Sequence, residues 1–202
     1  LWRTARMVGG TSIPFAHDDA GDVWIAGRLQ NNVSSFANEF AAPPGTVDTA
    51  PGSDVLTLRG FFETSPFFVN PTLSPNPDIN WSSHTITIRE DVAGNQEMNI
   101  AAGELVGRGV VFMGRRQYRV SEVTANTAPP ASGPGRTFTI TFSDDPNDPW
   151  ETFNPGGVWA APAFQVFRVG ILDSYTYYVS PDFRLMRTRA GAAAAEPVAI
   201  NI

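Results

Sequence analysis

The chain has no cysteine and no lysine, and only two histidines among its 202 residues. Without cysteine, thiol catalysis, iron–sulfur clusters, the usual cysteine-bound structural zinc and disulfides are all excluded. The missing lysine means that all 14 basic residues are arginine. The absence of cysteine says nothing about the cellular compartment.

Signatures of the common enzyme classes are also absent. We find no GxSxG nucleophile elbow, no HExxH, no Walker loop and no GxGxxG. His17 opens the acidic stretch HDDAGD, in which a His–Asp pair could orient a general base, but no nucleophile accompanies it. His84 precedes a strand pattern and shares the buried side of that pattern, which is typical of a structural histidine. We therefore expect no enzymatic activity and no cofactor.

The charge balance argues against nucleic acid as a direct ligand. The formal net charge is −6, so a phosphate backbone would be repelled by the average field of the protein. The sequence also has no run of about 18 apolar residues of the kind that spans a bilayer.

Two stretches could bind other ligands. The loop SDDPNDPWE offers Asp144, Asp145, Asn147, Asp148 and Glu151 as hard oxygen donors for calcium, but it lacks the spacing and central glycine of an EF-hand, and we predict no metal site. Aromatic residues make up 11% of the chain, and exposed tryptophans on a β-sandwich would suit a carbohydrate-binding module. The residues that could form such a platform are Trp81, Trp150 and Trp159.

Most of the chain after Asp22 has the period-2 alternation of β-strands. Phe138, Ile140 and Phe142 alternate with threonines, and Ile86 and Ile88 do the same in HTITIRE. Leu56 and Leu58 alternate with Val55, Thr57 and Arg59. Two long connections, 63–81 and 143–158, interrupt the pattern and contain aromatic residues that could pin them down.

The best helical fragment is LWRTARMV, in which Leu1, Ala5 and Val8 share one face before Gly9-Gly10 ends it. Because eight residues do not hold a helix in water, we expect residues 1–10 to be the end of a longer helix. The predicted fold class is α+β: a truncated N-terminal helix followed by antiparallel β-sheets of about nine strands. Residues 11–202 form one globular domain in this prediction.

Four segments, in order, resemble the globular domain of PilW-type minor pilins, which are related to the J-type minor pseudopilins of type II secretion. They are the helix exit with Leu1, Arg3, Ala5 and the glycine pair, the strand GSDVLTLRG, the stretch AGELVGRGVVFM with the downstream Val120, Val123 and Thr124, and the hairpin with Tyr177, Tyr178, Val179, Leu185, Met186 and Arg187. Glycine stands at position 60 where tyrosine is usual, and Glu104 replaces an aspartate.

The resemblance implies a structural role in filament assembly. The chain would be a minor subunit that takes part in priming or tip assembly of a type IV pilus or related secretion pseudopilus, a role connected with adhesion or natural transformation. Its partners would be other minor and major pilins or pseudopilins, with an N-terminal helix in the inner membrane. Its location would be the inner membrane and periplasm before assembly and the cell surface afterwards. The alternative is a secreted β-sandwich that binds carbohydrate or acts as a surface structural module.

Arginine and tyrosine are enriched at protein interfaces, and both are concentrated in the stretch SYTYYVSPDFRLMRTRA. They are equally suited to protecting the edge of a sheet from aggregation. The residues that we predict to contact a partner subunit are Leu1, Arg3, Arg6, Arg184, Arg187 and Arg189.

Overall fold

The computed structural model describes residues 27–61, 66–70, 78–92, 95, 99–115, 117–132, 135–151, 154, 162 and 164–200. Of the described residues, 54% lie in strands and 1% in helix, so the predicted α+β class is wrong. The predicted helix over residues 1–10 lies outside the described residues. Eleven strands form in place of the predicted nine or so: β1 (Gly27–Asn38), β2 (Gly45–Gly60), β3 (Phe67–Phe68), β4 (Ile79–Asn80), β5 (Thr85–Arg89), β6 (Gly109–Met113), β7 (Tyr118–Asn126), β8 (Thr137–Phe142), β9 (Arg168–Val179), β10 (Arg184–Arg189) and β11 (Glu196–Ile200).

The alternating segments form strands as predicted. In β8, Phe138, Ile140 and Phe142 are buried while the threonines between them are half-buried. β5 has the same pattern, with Ile86 and Ile88 fully buried, and it pairs with β8 so that Ile86 lies opposite Ile140. Because side chains alternate across a strand, each of these strands gives one face to the core.

All pairings are antiparallel, and β9 is the strand that joins them. Its first half pairs with β3 and β6, and its second half pairs with β2 and β10. β7 also changes neighbours: residues 118–122 pair with β6 and residues 123–126 pair with β8, with a register shift between Val123 and Ala125. The main path through the sheet is therefore β1-β2-β9-β6-β7-β8-β5-β4.

The bend in β7 lets the far end of the sheet pack over its centre. Val110 and Phe112 of β6 and Val169 and Ile171 of β9 share one buried cluster with the apolar faces of β5 and β8. Phe112 and Phe142 meet edge to face at 4.9 Å between ring centroids. The result is a small β-sandwich.

The second face of β6 is also covered, which explains why all five residues of this strand are buried. Val111 and Met113 pack in a separate cluster with Leu172 and Trp150. Trp150 lies in the connection after β8, is fully buried, and donates a hydrogen bond from Nε1 to the Gly107 carbonyl at 3.1 Å. The prediction that an aromatic residue pins this long connection is confirmed for Trp150.

Two backbone segments meet where β10 ends and β6 is about to begin. Gly191 and Gly107 both have positive φ, 75° and 80°. A Cβ added to Gly191 would lie 2.0 Å from the Val106 carbonyl oxygen. Glycine is therefore required at position 191 for two reasons, its conformation and its lack of a side chain.

Gly103 allows these two reasons to be separated, because its φ is 76° but nothing lies within 4 Å of an added Cβ. We expect Gly103→Ala to lower the free energy of unfolding by about 1 kcal/mol, the cost of the left-handed conformation alone. Gly191→Ala should cost more than about 3 kcal/mol, since the clash adds to that cost. Urea denaturation of both variants measures the difference. Equal losses of unfolding free energy in the two variants would mean that the 106–107 and 190–191 segments do not meet.

Candidate assembly surface

The β9–β10 hairpin is closed by the turn Ser180–Phe183. Pro181 supplies the fixed φ of the second turn position, and the Phe183 amide donates to the Ser180 carbonyl at 2.9 Å. The Ser180 amide in turn donates to the Arg184 carbonyl at 2.9 Å. Phe183 has φ 59°, in the left-handed region, and its side chain is 59% exposed. A bulky apolar residue therefore occupies a tip position whose backbone favours glycine or asparagine.

The arginines of the predicted interface lie on β10 and already have intramolecular partners. Arg184 is exposed and pairs with Asp182, with 2.8 Å between Nε and Oδ2. Arg187 pairs with Glu196 of β11, with 2.8 Å between Nε and Oε1, and its guanidinium lies 5.0 Å from the centre of the Tyr175 ring. Arg189 is half-buried. That these arginines contact another subunit stays a prediction, and Leu1, Arg3 and Arg6 lie outside the described residues.

A row of paired residues crosses five strands on the outer face of the sheet. Directly opposed residues in antiparallel strands point to the same face, and the register makes each of the following the neighbour of the next: Leu29, Leu56, Tyr177, Arg187 and Glu196. We call this the Leu29–Glu196 row. Leu29 is 58% exposed at one end, and the Glu196 side chain is 60% exposed at the other. The row is therefore apolar at the β1 end, aromatic in the middle and charged at the β11 end.

The opposite face of the same strands is polar but buried. Thr57, Thr176 and Thr188 lie opposite one another, and the Thr57 and Thr176 hydroxyls are 3.0 Å apart in a hydrogen bond. Tyr178 also points to this side and is 6% exposed, packed against Phe36. Val179, on the opposite face, is half-buried.

The second half of β2 buries polar side chains and leaves two leucines only half-buried. Thr57 and Arg59 are buried, at 8% and 4% exposure, while Leu56 and Leu58 are only half-buried. Arg59 lies over the Phe40 ring, 5.2 Å from its centre. The sequence alternation gave the period of this strand, but it could not show which face the rest of the sheet would cover.

A cavity opens beside the charged end of the Leu29–Glu196 row. It has a volume of about 400 Å³ and is lined by Tyr175, Arg187, Arg189, Ala192, Ala194 and Glu196. The small side chains at 192 and 194 leave the space open, and the two arginines give it positive character. Guanidinium groups present paired N–H donors that fit a carboxylate, so the cavity is suited to an acidic side chain. We call it the arginine cavity.

A buried ion pair separates this surface from the sandwich core. Asp173 lies on the same face of β9 as Tyr175, and its Oδ1 is 3.3 Å from Nε of Arg108. Both side chains are at most 1% exposed. Glu104 approaches the same arginine from the surface at 4.0 Å. Going along this face of β9, the apolar core gives way to the ion pair and then to the arginine cavity.

Removing one partner of this ion pair should lower the free energy of unfolding far more than removing both. We expect Arg108→Met to lower the free energy of unfolding by about 3–5 kcal/mol, because the Asp173 carboxylate would stay buried without its cation. In the double variant Arg108→Met/Asp173→Leu, at least half of that loss should be recovered. Guanidinium denaturation at neutral pH compares the two. A loss below about 1 kcal/mol in the single variant would show that the pair is not desolvated.

Among the described residues, the acidic loop brings together no set of metal ligands. Within the described ranges, no group of three or more histidine, aspartate or glutamate side chains could hold a metal ion. Asp148 accepts hydrogen bonds from the backbone amides of Glu122 and Trp150, so it holds the loop against β7. Asp145 forms a local turn by accepting from the Asn147 amide at 2.9 Å. The acidic stretch is therefore folded around its own backbone.

The histidine and tryptophan candidates are divided between core and undescribed segments. His84 lies in the turn before β5, with its Nε2 3.6 Å from the Asp144 carboxylate and its ring 5.5 Å from Phe142. Trp150 is in the core, and Trp81 packs 4.9 Å from the Phe112 ring. His17 and Trp159 lie outside the described residues. Neither of the two described tryptophans named for a carbohydrate platform stands free on the surface.

Three carboxyl groups near the acidic loop have pKa values above their ordinary values. Burial raises the pKa of Glu122 above its ordinary value, and the charges of Asp148 and Asp145 add to this. Burial likewise raises the pKa of Asp148, although its hydrogen bonds oppose the shift. The pKa of Glu151 is raised mainly by burial, against a hydrogen bond from Asn154.

Because the Glu122 pKa is raised on folding, its contribution to stability is full below its ordinary value of 4.5 and is lost as pH rises through the folded pKa. We expect Glu122→Gln to raise the free energy of unfolding at pH 7, by less than about 1 kcal/mol because the group keeps partial solvent contact. At pH 4 the gain should vanish. Urea titrations at both pH values measure this.

Glu90→Gln is the control of opposite sign. A side-chain hydrogen bond from Arg136 lowers the Glu90 pKa, so its contribution is present at neutral pH and lost as pH falls. This variant should be less stable than the parent at pH 7 and equal to it at low pH. The same pH dependence in both variants would contradict the assignment.

No helix among the described residues has the length and apolarity needed to cross a bilayer. Comparison of the chain with family models, curated proteins and solved structures finds no match.

Proposed function

We propose that this chain is a non-enzymatic assembly subunit of the minor pilin or pseudopilin type, which takes part in priming or tip assembly of a type IV pilus or related secretion pseudopilus. One observation carries the proposal. The described segments that resemble the PilW-type family, although far apart in the sequence, lie on strands that are hydrogen-bonded neighbours around β9.

The pairings are specific. GSDVLTLRG forms the second half of β2, and its Leu56 and Leu58 lie opposite Tyr177 and Tyr175 of β9. AGELVGRGVVFM leads into β6, which pairs with the first half of β9. Val120 and Val123 belong to β7, the other neighbour of β6. The hairpin segment is β9–β10 itself. If the fold is shared, the segments that resemble the family should form the central strands of one sheet. Their pairing around β9 therefore supports the resemblance more than any single short match does.

The character of the surface also favours assembly over catalysis. The Leu29–Glu196 row presents leucine, tyrosine and arginine, which are typical of the centre of a protein interface. In the 143–151 connection, by contrast, Asp145 and Asp148 accept hydrogen bonds from backbone amides, and Glu151 accepts one from the Asn154 side chain. A protein of this kind would bind other pilins or pseudopilins at the inner membrane and in the periplasm, and remain with them at the cell surface.

The proposal is tested by co-purifying the protein with each minor pilin or pseudopilin encoded in the same genome. We expect at least one of them to bind specifically and to be needed, together with this protein, for filament formation. If none binds and deletion of the gene leaves filaments unchanged, the assembly role is wrong.

Phe183 offers a sharper form of this test, because stability and binding should respond in opposite ways. Replacing it with glycine removes the left-handed strain, so Phe183→Gly should keep the free energy of unfolding within about 1 kcal/mol of the parent or raise it. It should also weaken binding to the partner subunit by at least about tenfold if this aromatic is a contact residue. Affinity is measured by surface plasmon resonance and stability by urea denaturation.

Val106→Ser is the matched control, since Val106 is 40% exposed and lies against Gly191, at the end of β10 opposite the hairpin tip. Its affinity should equal that of the parent. Unchanged binding by Phe183→Gly would show that the tip is not part of the contact.

A further inference from the structure

The arginine cavity and the Leu29–Glu196 row belong to one continuous outer face. Arg187 is a member of both, and Arg189 lies opposite Tyr175 in the adjacent row of the same face. Half-buried Leu56 and Leu58 occupy this face while Thr57 and Arg59 are buried behind it. An apolar and cationic surface of this kind is expected to be covered by protein of complementary character.

A two-fold symmetric contact of this face with itself does not satisfy that requirement. In such a contact the same patch meets itself in reversed direction. The leucine end at Leu29 would then cover the charged end at Arg187 and Glu196, and the carboxylate brought to each arginine cavity would be Glu196, which already pairs with Arg187. The face therefore calls for a different surface on the neighbouring molecule.

The chain itself carries the complementary surface. Between Ser143 and Phe167 there is no basic residue, and residues 144–147 are exposed. The Asp144 side chain is 63% exposed, and its Oδ2 lies 3.6 Å from Nε2 of His84. The adjacent Asp145, Asn147 and Asp148 maintain the loop through hydrogen bonds to the backbone, so Asp144 is presented from a folded support.

We propose that copies of this protein associate head to tail, with the Asp144–Asn147 loop of one copy entering the arginine cavity of the next. The inference rests on the proposed assembly role and names one of its partners, a second copy of this chain. Asp144 supplies the carboxylate, and Arg189 and Arg187 supply the guanidinium donors. Because the two surfaces differ, the contact does not close on itself and can repeat from copy to copy.

Glu196 limits the strength of this contact. Its carboxylate already pairs with Arg187 at the mouth of the cavity, and its side chain is largely exposed on an edge strand. An incoming Asp144 competes with it for the same guanidinium. Association should accordingly be weak in the parent and stronger in Glu196→Gln, by about threefold to tenfold.

The test is sedimentation equilibrium from about 10 µM to about 1 mM protein, at roughly 50 mM and 500 mM salt. The parent should self-associate at low salt and dissociate at high salt. Arg189→Glu and Asp144→Arg should each weaken self-association by at least about tenfold, since each places like charges in the contact. An equimolar mixture of the two variants should associate again, because the reversed charges are complementary between them.

Two variants control for a general charge effect. Arg115→Glu makes the same change at an exposed arginine in the turn after β6, outside the cavity, and Asp91→Arg reverses the charge at another exposed acidic position. Both should associate like the parent. Far-UV circular dichroism confirms that each variant is folded, and if Arg189→Glu does not fold, Ala194→Trp fills the cavity and should abolish association.

A parent protein that stays monomeric at about 1 mM and low salt overturns the inference. A mixture of the two charge-reversed variants that fails to associate also overturns it. So does a loss of self-association in the control variants equal to that in Arg189→Glu and Asp144→Arg. If the protein remains monomeric but still binds sister subunits, only the head-to-tail contact is wrong and the proposed function stands.

Discussion

The structure depends on how β9 passes between two environments, and the ion pair between Arg108 and Asp173 lies at the point where it does so. Before Asp173, one face of β9 contributes Val169 and Ile171 to the sandwich core. After it, the same face bears Tyr175 and Tyr177, beside the arginine cavity and in the Leu29–Glu196 row. A charged pair that is fully buried costs desolvation energy and is rarely the most stable choice. Here it ends the apolar core at a defined residue and lets one strand belong to both regions.

The chain also needs two glycines at the same place. Arg108 follows Gly107, whose backbone touches Gly191 just after β10. This close approach brings the start of β6 and the end of β10 together alongside one strand, β9. Trp150 then covers the junction and donates its indole N–H to the Gly107 carbonyl. The ion pair, the glycine contact and the tryptophan therefore fix the same junction by electrostatics, backbone geometry and packing.

Strand positions could be predicted from the sequence, but their faces and partners could not. The alternation in β5 and β8 predicted both the strands and their buried sides, because those strands have one face on the core. In β2 the same period did not predict which face is buried, because that depends on β9, β10 and the segment with Phe40. The arginine cavity likewise depends on pairing: Tyr175, Arg187 and Ala192 lie in one stretch of the chain but come together only because β9 and β10 form a hairpin. The α+β class was wrong because it rested on residues 1–10, whereas the described residues form a nearly all-β body.

The buried polar side chains and half-buried leucines of β2 connect the fold to the proposed role. Val55 is fully buried on the inner face of β2, but Thr57 and Arg59 are buried beside it, and burying a hydroxyl and a guanidinium costs energy that burying leucine would not. The chain offsets that cost with the threonine hydrogen bond and the Phe40 ring, and leaves the leucines on the outer face. Such an arrangement lowers the stability of the isolated molecule and raises the gain on contact. It is understandable if the outer face is normally covered, since the apolar area left exposed in the single chain is then buried against its neighbour.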